Sequence, residues 1–148
     1  MNTVKLKTEC GDIVGLDNGS YVEFRGIKYA DAGRWEYPVV TDGWDGVYDA
    51  TAFGDCCYQH RGFEDDAKVN PFYHREFRRG MSFTYSEDCQ YLNISAHKNA
   101  KKCPVLLYIH GGSFTGGSSN EGHISGKADA ENDIVFVSMN RRLGPYGL

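Results

Sequence analysis

The stretch PVLLYIHGGSFTGGSSNEG, residues 104–122, changes character in its middle. An apolar run ends at a histidine, and a loop of glycines and serines with few large side chains follows. A short apolar run bounded by proline and glycine is typical of a strand buried on both faces of a parallel sheet. DIVFVSMN, residues 133–140, has the same pattern. The two runs predict neighbouring parallel strands, joined by a crossover over residues 111–132 in which ISGKADAEN supplies a short helix.

The first half of the chain predicts antiparallel strands joined by tight turns. CGD separates TVKLKTE from IVGLD, and NGS precedes YVEFRGIKYA. Residues 31–55 predict an irregular connection packed around Trp35 and Trp44, whereas residues 56–86 show no clear helix or strand pattern. QYLNISAH predicts a further strand. The whole pattern predicts the α/β class, with an antiparallel β meander that leads into a mostly parallel sheet.

The charge and hydropathy of the chain argue against two classes of partner. A net charge of −4 argues against nucleic-acid binding, because a protein surface that binds nucleic acid needs a basic patch. We interpret Arg75, Arg78 and Arg79 as part of a solvated loop face, because carboxylates surround them in the sequence. No run approaches the roughly 20 apolar residues of a membrane span, and the first residues do not resemble a signal peptide. We therefore expect a cytoplasmic protein that binds neither nucleic acid nor membrane.

Cysteine and histidine spacing gives no metal site. The chain has five cysteines and no C-x-x-C pair. A zinc site made by Cys56, Cys57 and His60 would match no common ligand spacing. We expect buried packing of the thiols, or one disulfide, instead.

The glycine loop has three interpretations on its residues alone. Small residues after a strand let backbone N–H groups approach an anion, which suits a phosphate cradle or an oxyanion hole. The phosphate interpretation lacks both G-x-x-x-x-G-K-[ST] and G-x-G-x-x-G. A plain surface turn that needs glycine only for its shape remains as open as the oxyanion hole.

Five segments in order resemble the type-B carboxylesterase family of α/β-hydrolases, which includes cholinesterases and para-nitrobenzyl esterases. GIKYADAGRWEYP is similar to a family G-I-x-Y-A segment followed by arginine, an aromatic residue and proline. WDGVYDATAFGDCCYQ resembles W-x-G-V-x-D-A-T-x-F with C-x-Q, and SEDCQYLNI resembles S-E-D-C-L-Y-L-N-V. The glycine loop and IVFVSMNRRLGPYG, similar to V-V-V-x-x-N-Y-R-L-G-x-x-G, complete the series.

The resemblance implies a role for the glycine loop. It assigns the oxyanion hole to the backbone N–H groups of Gly112 and Ser113, with Gly111 supporting the turn. Most family members have glycine or alanine at the position of Ser113, so its side chain narrows the pocket slightly. His110 is expected to orient the loop, and Phe114 to pack beneath it.

The resemblance also implies structural pairs. Cys57 and Cys89 match the cysteines that the family joins in a disulfide, although a reducing cytoplasm would leave them as thiols. Arg34 and Glu87 match a buried ion pair, whose loss we expect to destabilise the chain more than a surface change would. Arg142 matches a second family arginine whose expected partner lies beyond residue 148.

The chemistry of this family needs residues that the sequence does not contain. Ester hydrolysis on this fold uses a serine in a G-x-S-x-G elbow, an acid and a histidine, and no such elbow occurs here. We therefore expect residues 1–148 to be the N-terminal segment of a single α/β-hydrolase domain, either as a truncated product or as half of a split enzyme. A C-terminal polypeptide would complete the fold and carry the Ser-Glu/Asp-His triad.

Three functions remain open from the sequence. The chain is part of a serine carboxylesterase that acts on a small-molecule ester without a cofactor, a non-catalytic esterase-like module that binds proteins, or an unrelated β-rich binding domain. Because five segments match the esterase family, the unrelated binding domain is the weakest of these three interpretations. Cholinesterases carry a tryptophan between the C-x-Q and S-E-D-C segments, and residues 61–85 have none. This favours a general esterase with an aromatic, largely apolar pocket.

Overall fold

The computed structural model describes residues 2–59, 68 and 71–147. Its strands are β1 (Asn2–Thr8), β2 (Gly11–Asp17), β3 (Tyr21–Lys28), β4 (Ala30–Asp31), β5 (Val39–Val40), β6 (Val47–Asp49), β7 (Cys56–Cys57), β8 (Tyr85–Ser86), β9 (Tyr91–His97), β10 (Val105–Ile109) and β11 (Val135–Met139). The helical segments are α1 (Pro71–Tyr73), which continues into a wider turn at His74–Arg78, then α2 (Lys127–Glu131), and a 3-10 turn at Gly144–Tyr146.

The main sheet is mixed and has the strand order β1-β2-β3-β9-β11-β10, with β6 added beside β2. Strands β1, β2, β3, β9 and β11 pair in antiparallel fashion along this order. The pair β10–β11 is parallel, as is β2–β6. The antiparallel meander, the parallel pair and the helix in the crossover are therefore confirmed. In the described part of the chain, however, most of the pairings in the sheet are antiparallel.

One face of the sheet is covered by the crossover that joins β10 to β11. Gly126, which caps the start of α2, lies directly against the side chains of Phe136 and Ser95. Ala130 of this helix is fully buried. This face therefore receives its covering layer from the same chain.

The opposite face is apolar across the sheet. The strand registers align Leu6 with Ile13, Phe24 with Ile94, and Ile94 in turn with Val137. Over its N-terminal strands this face borders a cavity of about 580 Å³ lined mainly by apolar side chains. Ile13 and Phe24 are buried, but Leu6 is 44% exposed. The described residues thus leave part of an apolar face without a covering layer.

Strand β10 is not buried on both faces, in contrast to the sequence-based expectation. Val105 is 66% exposed and Ile109 is 56% exposed. The cause is its place at the end of the strand order, where it has β11 on one side only. Its apolar composition is that of an interior strand, whereas its position in this chain is that of an edge strand.

The two predicted tryptophan anchors behave differently. Trp44 packs against the core beside Tyr48 and donates from Nε1 to the Asp12 carbonyl at 2.6 Å, so this anchor is confirmed. Trp35 is 73% exposed, and its predicted anchoring role is wrong in this structure. No helix in the described ranges is long and apolar enough to cross a membrane.

Candidate functional site

The glycine loop begins where β10 ends and lies beside the end of β11. His110 follows the last residue of β10 and is 4% exposed. Burial lowers its pKa, so the ring is neutral and Nδ1–H donates to the Gly111 carbonyl at 2.8 Å. Because the ring is buried and bonded to the turn, its geometry suits a residue that orients the loop.

The backbone of the loop turns back on itself immediately after Gly111. Gly112 has a φ of 119°, and Ser113 and Phe114 follow with φ values of 54° and 62°. The N–H groups of Thr115 and Gly116 donate to the Gly112 carbonyl at 3.0 and 3.1 Å. Within the described residues, the N–H groups of Gly112 and Ser113 have no acceptor. Two consecutive exposed donors are thus available to an outside ligand.

Gln59 holds the C-terminal part of the glycine loop, from Gly117 onward, by hydrogen bonds. Its Oε1 accepts from the Gly117 N–H at 2.9 Å, and its Nε2 donates to the Gly117 carbonyl at 3.0 Å. The same Nε2 donates to the Cys57 carbonyl at 3.1 Å. Gln59 belongs to the C-x-Q segment, but sequence reasoning assigned it no role. Both backbone groups of Gly117 are thereby fixed to a different part of the chain.

A buried polar network holds the next residues. Asn140 follows β11 and is 1% exposed, and its Oδ1 accepts from the Ser119 N–H at 2.7 Å and the Ser118 hydroxyl at 3.2 Å. From the sheet, Asn93 donates to the Ser119 hydroxyl at 3.2 Å. Because unpaired polar groups are costly when buried, such a network favours one arrangement of the loop. Asn140 belongs to the segment IVFVSMNRRLGPYG, whose pattern predicts none of these contacts.

Phe114 does not pack beneath the loop as expected. Its side chain is 60% exposed, and the guanidinium carbon of Arg141 lies 4.8 Å from the centre of its ring. Its carbonyl accepts from the Gly144 N–H at 2.7 Å, which joins the loop to the turn after β11. The aromatic residue therefore serves as a surface contact for an arginine instead of as a core residue.

Arg78 does not belong to a solvated face, because its side chain is 1% exposed. Its Nη2 donates to Oε1 of Glu121 at 2.9 Å, and Glu121 is itself 5% exposed. The Tyr73 hydroxyl donates to the other carboxylate oxygen at 2.6 Å. This buried pair joins the segment at residues 71–78 to the C-terminal part of the glycine loop. The neighbouring Arg75 is exposed, as predicted.

The cysteines of the structure are free thiols. Cys57 and Cys89 are buried, and the interaction between their thiols lowers the pKa of Cys57 and raises that of Cys89. A disulfide between them stays a prediction, as does the alternative of two thiols. Burial raises the pKa of Cys56 to about 11, which keeps it protonated and unreactive.

The structure describes no grouping of metal ligands. Among the described residues, no three side chains of His, Cys, Asp or Glu are arranged to hold an ion. His60, the third ligand considered with Cys56 and Cys57, lies outside those residues.

Arg34 and Glu87 are in contact, but the pair is not buried. Nε of Arg34 donates to Oε2 of Glu87 at 2.9 Å, and Nη2 donates to Oε1. The two side chains are 53% and 29% exposed, which contradicts the expected burial. The contact lowers the pKa of Glu87, but solvent screening leaves such a pair a small contribution. Arg142 donates to the carbonyls of Gly33 and Glu36.

Comparison with known proteins places this arrangement in a family. The model of the carboxylesterase family matches residues 2–148, practically the whole chain. The chain belongs to the carboxylesterase family. It is 33% identical to the para-nitrobenzyl esterase of Bacillus subtilis over 96% of this chain and 28% of that protein. It is 32% identical to the acetylcholinesterase of Bungarus fasciatus over 97% of this chain and 25% of that protein.

Solved structures agree with this assignment. A para-nitrobenzyl esterase structure superposes with a TM-score of 0.79 at 30% identity, over 97% of this chain and 28% of that chain. A carboxylesterase from Geobacillus stearothermophilus gives 0.76 at 33% identity, over 97% of this chain and 27% of that chain. The fold is thus that of the N-terminal part of an α/β-hydrolase. The chain spans about a quarter of the length of these relatives.

The loop predicts unequal effects of alanine at two adjacent glycines. In Gly112→Ala, the new Cβ would overlap the Gly116 carbonyl oxygen, and the positive φ is unfavourable for alanine. We expect a loss of about 1–3 kcal/mol in the free energy of unfolding, measured with urea. Gly111→Ala is the control, because no atom lies within 4 Å of its Cβ position. Equal losses in the two variants would contradict the described turn.

The buried pair predicts that one mutation costs more than two. Glu121→Gln removes the carboxylate charge that Arg78 binds in the interior, so we expect a loss of about 3–5 kcal/mol in unfolding free energy. The double variant Arg78→Met with Glu121→Leu removes both charges and is expected to lose less. Arg75→Gln, which breaks an exposed pair with Glu76, is the surface control. A double variant that loses as much as Glu121→Gln, or more, would refute the pairing.

Proposed function

We propose that this chain supplies the oxyanion hole of a carboxylic ester hydrolase. Gly112 and Ser113 donate their backbone N–H groups to the carbonyl oxygen that becomes negative when the ester is attacked, and Gly111 supports the turn. The observation that carries this proposal is that both donors lack an acceptor among the described residues, although hydrogen bonds fix the rest of the loop. Donors fixed before the reaction stabilise the developing charge without the cost of reorganising.

The nucleophile of this reaction lies outside the chain in our proposal. No serine of the sequence stands in a G-x-S-x-G elbow. Ser118 and Ser119 are each 1% exposed, and their hydroxyls are engaged in the network around Asn140 and Asn93. The Ser-Glu/Asp-His triad therefore belongs to a C-terminal polypeptide, and residues 1–148 are the N-terminal segment of a single domain that this polypeptide completes.

The surface of the chain supports such a partner. In the part of the chain that the structure describes, the exposed apolar strand β10 has a free edge, and part of the apolar sheet face described above has no cover. A further strand beside β10 and a layer on that face would bury both. The relatives are about four times as long as this chain, which supplies the length that such a partner requires.

The substrate we propose is a small carboxylic ester, and the reaction needs no cofactor. The similar proteins include a para-nitrobenzyl esterase, a phenmedipham hydrolase that is 35% identical, and acetylcholinesterases. The lack of tryptophan in residues 61–85 makes a choline ester the weaker choice. We also propose that the protein is cytoplasmic.

A non-catalytic protein-binding module is the second candidate. The observation that favours it is the absence of a nucleophile elbow in the sequence. Such a module has the same fold and the same exposed apolar surface, at β10 and the sheet face, as the first candidate. It differs in that its function does not require two unpaired N–H donors.

The proposed function predicts activity only when a triad is supplied. We expect the 148-residue chain alone to leave para-nitrophenyl acetate unhydrolysed. A chimera in which it replaces the aligned quarter of the Bacillus subtilis para-nitrobenzyl esterase is expected to hydrolyse it. Gly112→Ala in this chimera is expected to lower kcat about a hundredfold, because it displaces the oxyanion donors.

The matched control in the chimera is Glu131→Gln, on the exposed side of α2, which is expected to keep kcat unchanged. A folded chimera without activity, or one whose kcat is insensitive to Gly112→Ala, would favour the protein-binding module. A burst of nitrophenol from the isolated chain would show that a nucleophile has been overlooked.

A further inference from the structure

Arg141 places a positive charge beside the proposed oxyanion loop. It lies two residues after the end of β11, and its guanidinium carbon is 4.8 Å from the centre of the Phe114 ring. Phe114 directly follows Ser113, one of the two proposed donors. The signature that this region resembles has tyrosine where this chain has Arg141. The charge at this position is therefore a feature of this chain that the resemblance does not explain.

Arg141 has no carboxylate partner within residues 2–59, 68 and 71–147. Its Nε is buried and has no hydrogen-bond acceptor among those residues. Other arginines differ in having partners at their Nη atoms, since Arg78 binds the Glu121 carboxylate and Arg142 binds two backbone carbonyls. A buried guanidinium nitrogen without an acceptor is costly, and a carboxylate is the partner that suits it best.

The electrostatic influence of Arg141 extends to the beginning of the loop. The pKa of His110 is lowered mainly by burial, and the charge of Arg141 lowers it further. His110 is neutral for this reason, so it adds no competing charge to the loop. The backbone N–H groups of Gly112 and Ser113 are unpaired donors on the same loop. One fixed cation and two free N–H groups form an environment that favours an anion.

We propose that Arg141 and the N–H groups of Gly112 and Ser113 form a binding site for a monocarboxylate, the class of acid that ester hydrolysis releases. One carboxylate oxygen accepts from the backbone donors, and the charge of the anion is balanced by Arg141. The proposal extends the proposed function, because it uses the same two donors. It adds that Arg141 retains the acid product in this protein by attracting its negative charge.

The test is a titration of the 148-residue chain with sodium benzoate, followed by the amide signals of Gly112 and Ser113 and the Nε–H signal of Arg141 in ¹H–¹⁵N spectra. Benzamide, which has the same shape and no charge, is the matched ligand control. We expect saturable shifts with benzoate, none with benzamide, and weaker binding as salt is raised.

Three variants separate charge from fold. Arg141→Gln is expected to weaken benzoate binding about tenfold or more, since it removes the positive charge that balances the anion. Arg141→Lys keeps the charge and is expected to retain part of the affinity, so it remains informative if Arg141→Gln does not fold. Arg75→Gln removes an exposed arginine that pairs with Glu76 elsewhere on the chain, and is expected to bind as the wild type does.

Equal binding of benzoate by the wild type and Arg141→Gln, or of benzoate and benzamide by the wild type, would overturn the proposal. Absence of saturable shifts would overturn it as well. An active chimera combined with a chain that does not bind benzoate would remove this inference and leave the proposed function. An inactive chimera combined with Arg141-dependent benzoate binding would remove the proposed function and leave the carboxylate site.

Discussion

The candidate site depends on two side-chain amides that hold the backbone of one loop. Gln59 engages both backbone groups of Gly117, and Asn140 accepts from the Ser119 N–H. These contacts fix the loop at Gly117 and Ser119. The backbone N–H groups of the tight turn before them therefore need no acceptor elsewhere in the chain to hold the loop in place. Within the described ranges, the N–H groups of Gly112 and Ser113 are thereby left unpaired in a loop that is otherwise well anchored. Preorganised donors of this kind are what an oxyanion hole requires.

The anchors come from distant parts of the fold, so the site depends on the sheet. Asn140 is placed by the end of β11, and Asn93 reaches the same network from β9. Glu121, further along the loop, is buried with Arg78. Residues on or directly after two strands of the sheet thus hold the same loop by hydrogen bonds. Its other apolar face and the edge of β10 remain partly uncovered, which agrees with a chain that spans a quarter of its relatives' length.

The sequence was sufficient for the longer strands of the main sheet and for the position of the loop, because these follow local patterns. The short strands β5 to β8 lie in segments for which no strand was predicted. Apolar runs bounded by turn residues predicted β9, β10 and β11, and the glycines marked the loop between them. The clamps could not be predicted in this way. Gln59 and Gly117 are 58 residues apart, and Arg78 and Glu121 are 43 residues apart, so no local periodicity relates the partners.

The wrong predictions have a common cause. Trp35 and β10 were expected to be buried because they are apolar, and Phe114 because the resemblance implied it. Apolar character predicts burial only where another element supplies the cover. Arg78 was expected to be solvated because its sequence neighbours are charged, whereas its actual partner comes from the crossover. The charged pair Arg34–Glu87 formed as the resemblance implied, but at the surface.

Amide hydrogen exchange of the 148-residue chain tests the central claim most directly. The account predicts that Gly112 and Ser113 exchange at rates close to those of an unstructured peptide, because their N–H groups have no acceptor in the described chain. Gly117 and Ser119, bound by Gln59 and Asn140, are predicted to exchange much more slowly. Strong protection of Gly112 and Ser113 would contradict the account, as would unprotected amides at Gly117 and Ser119.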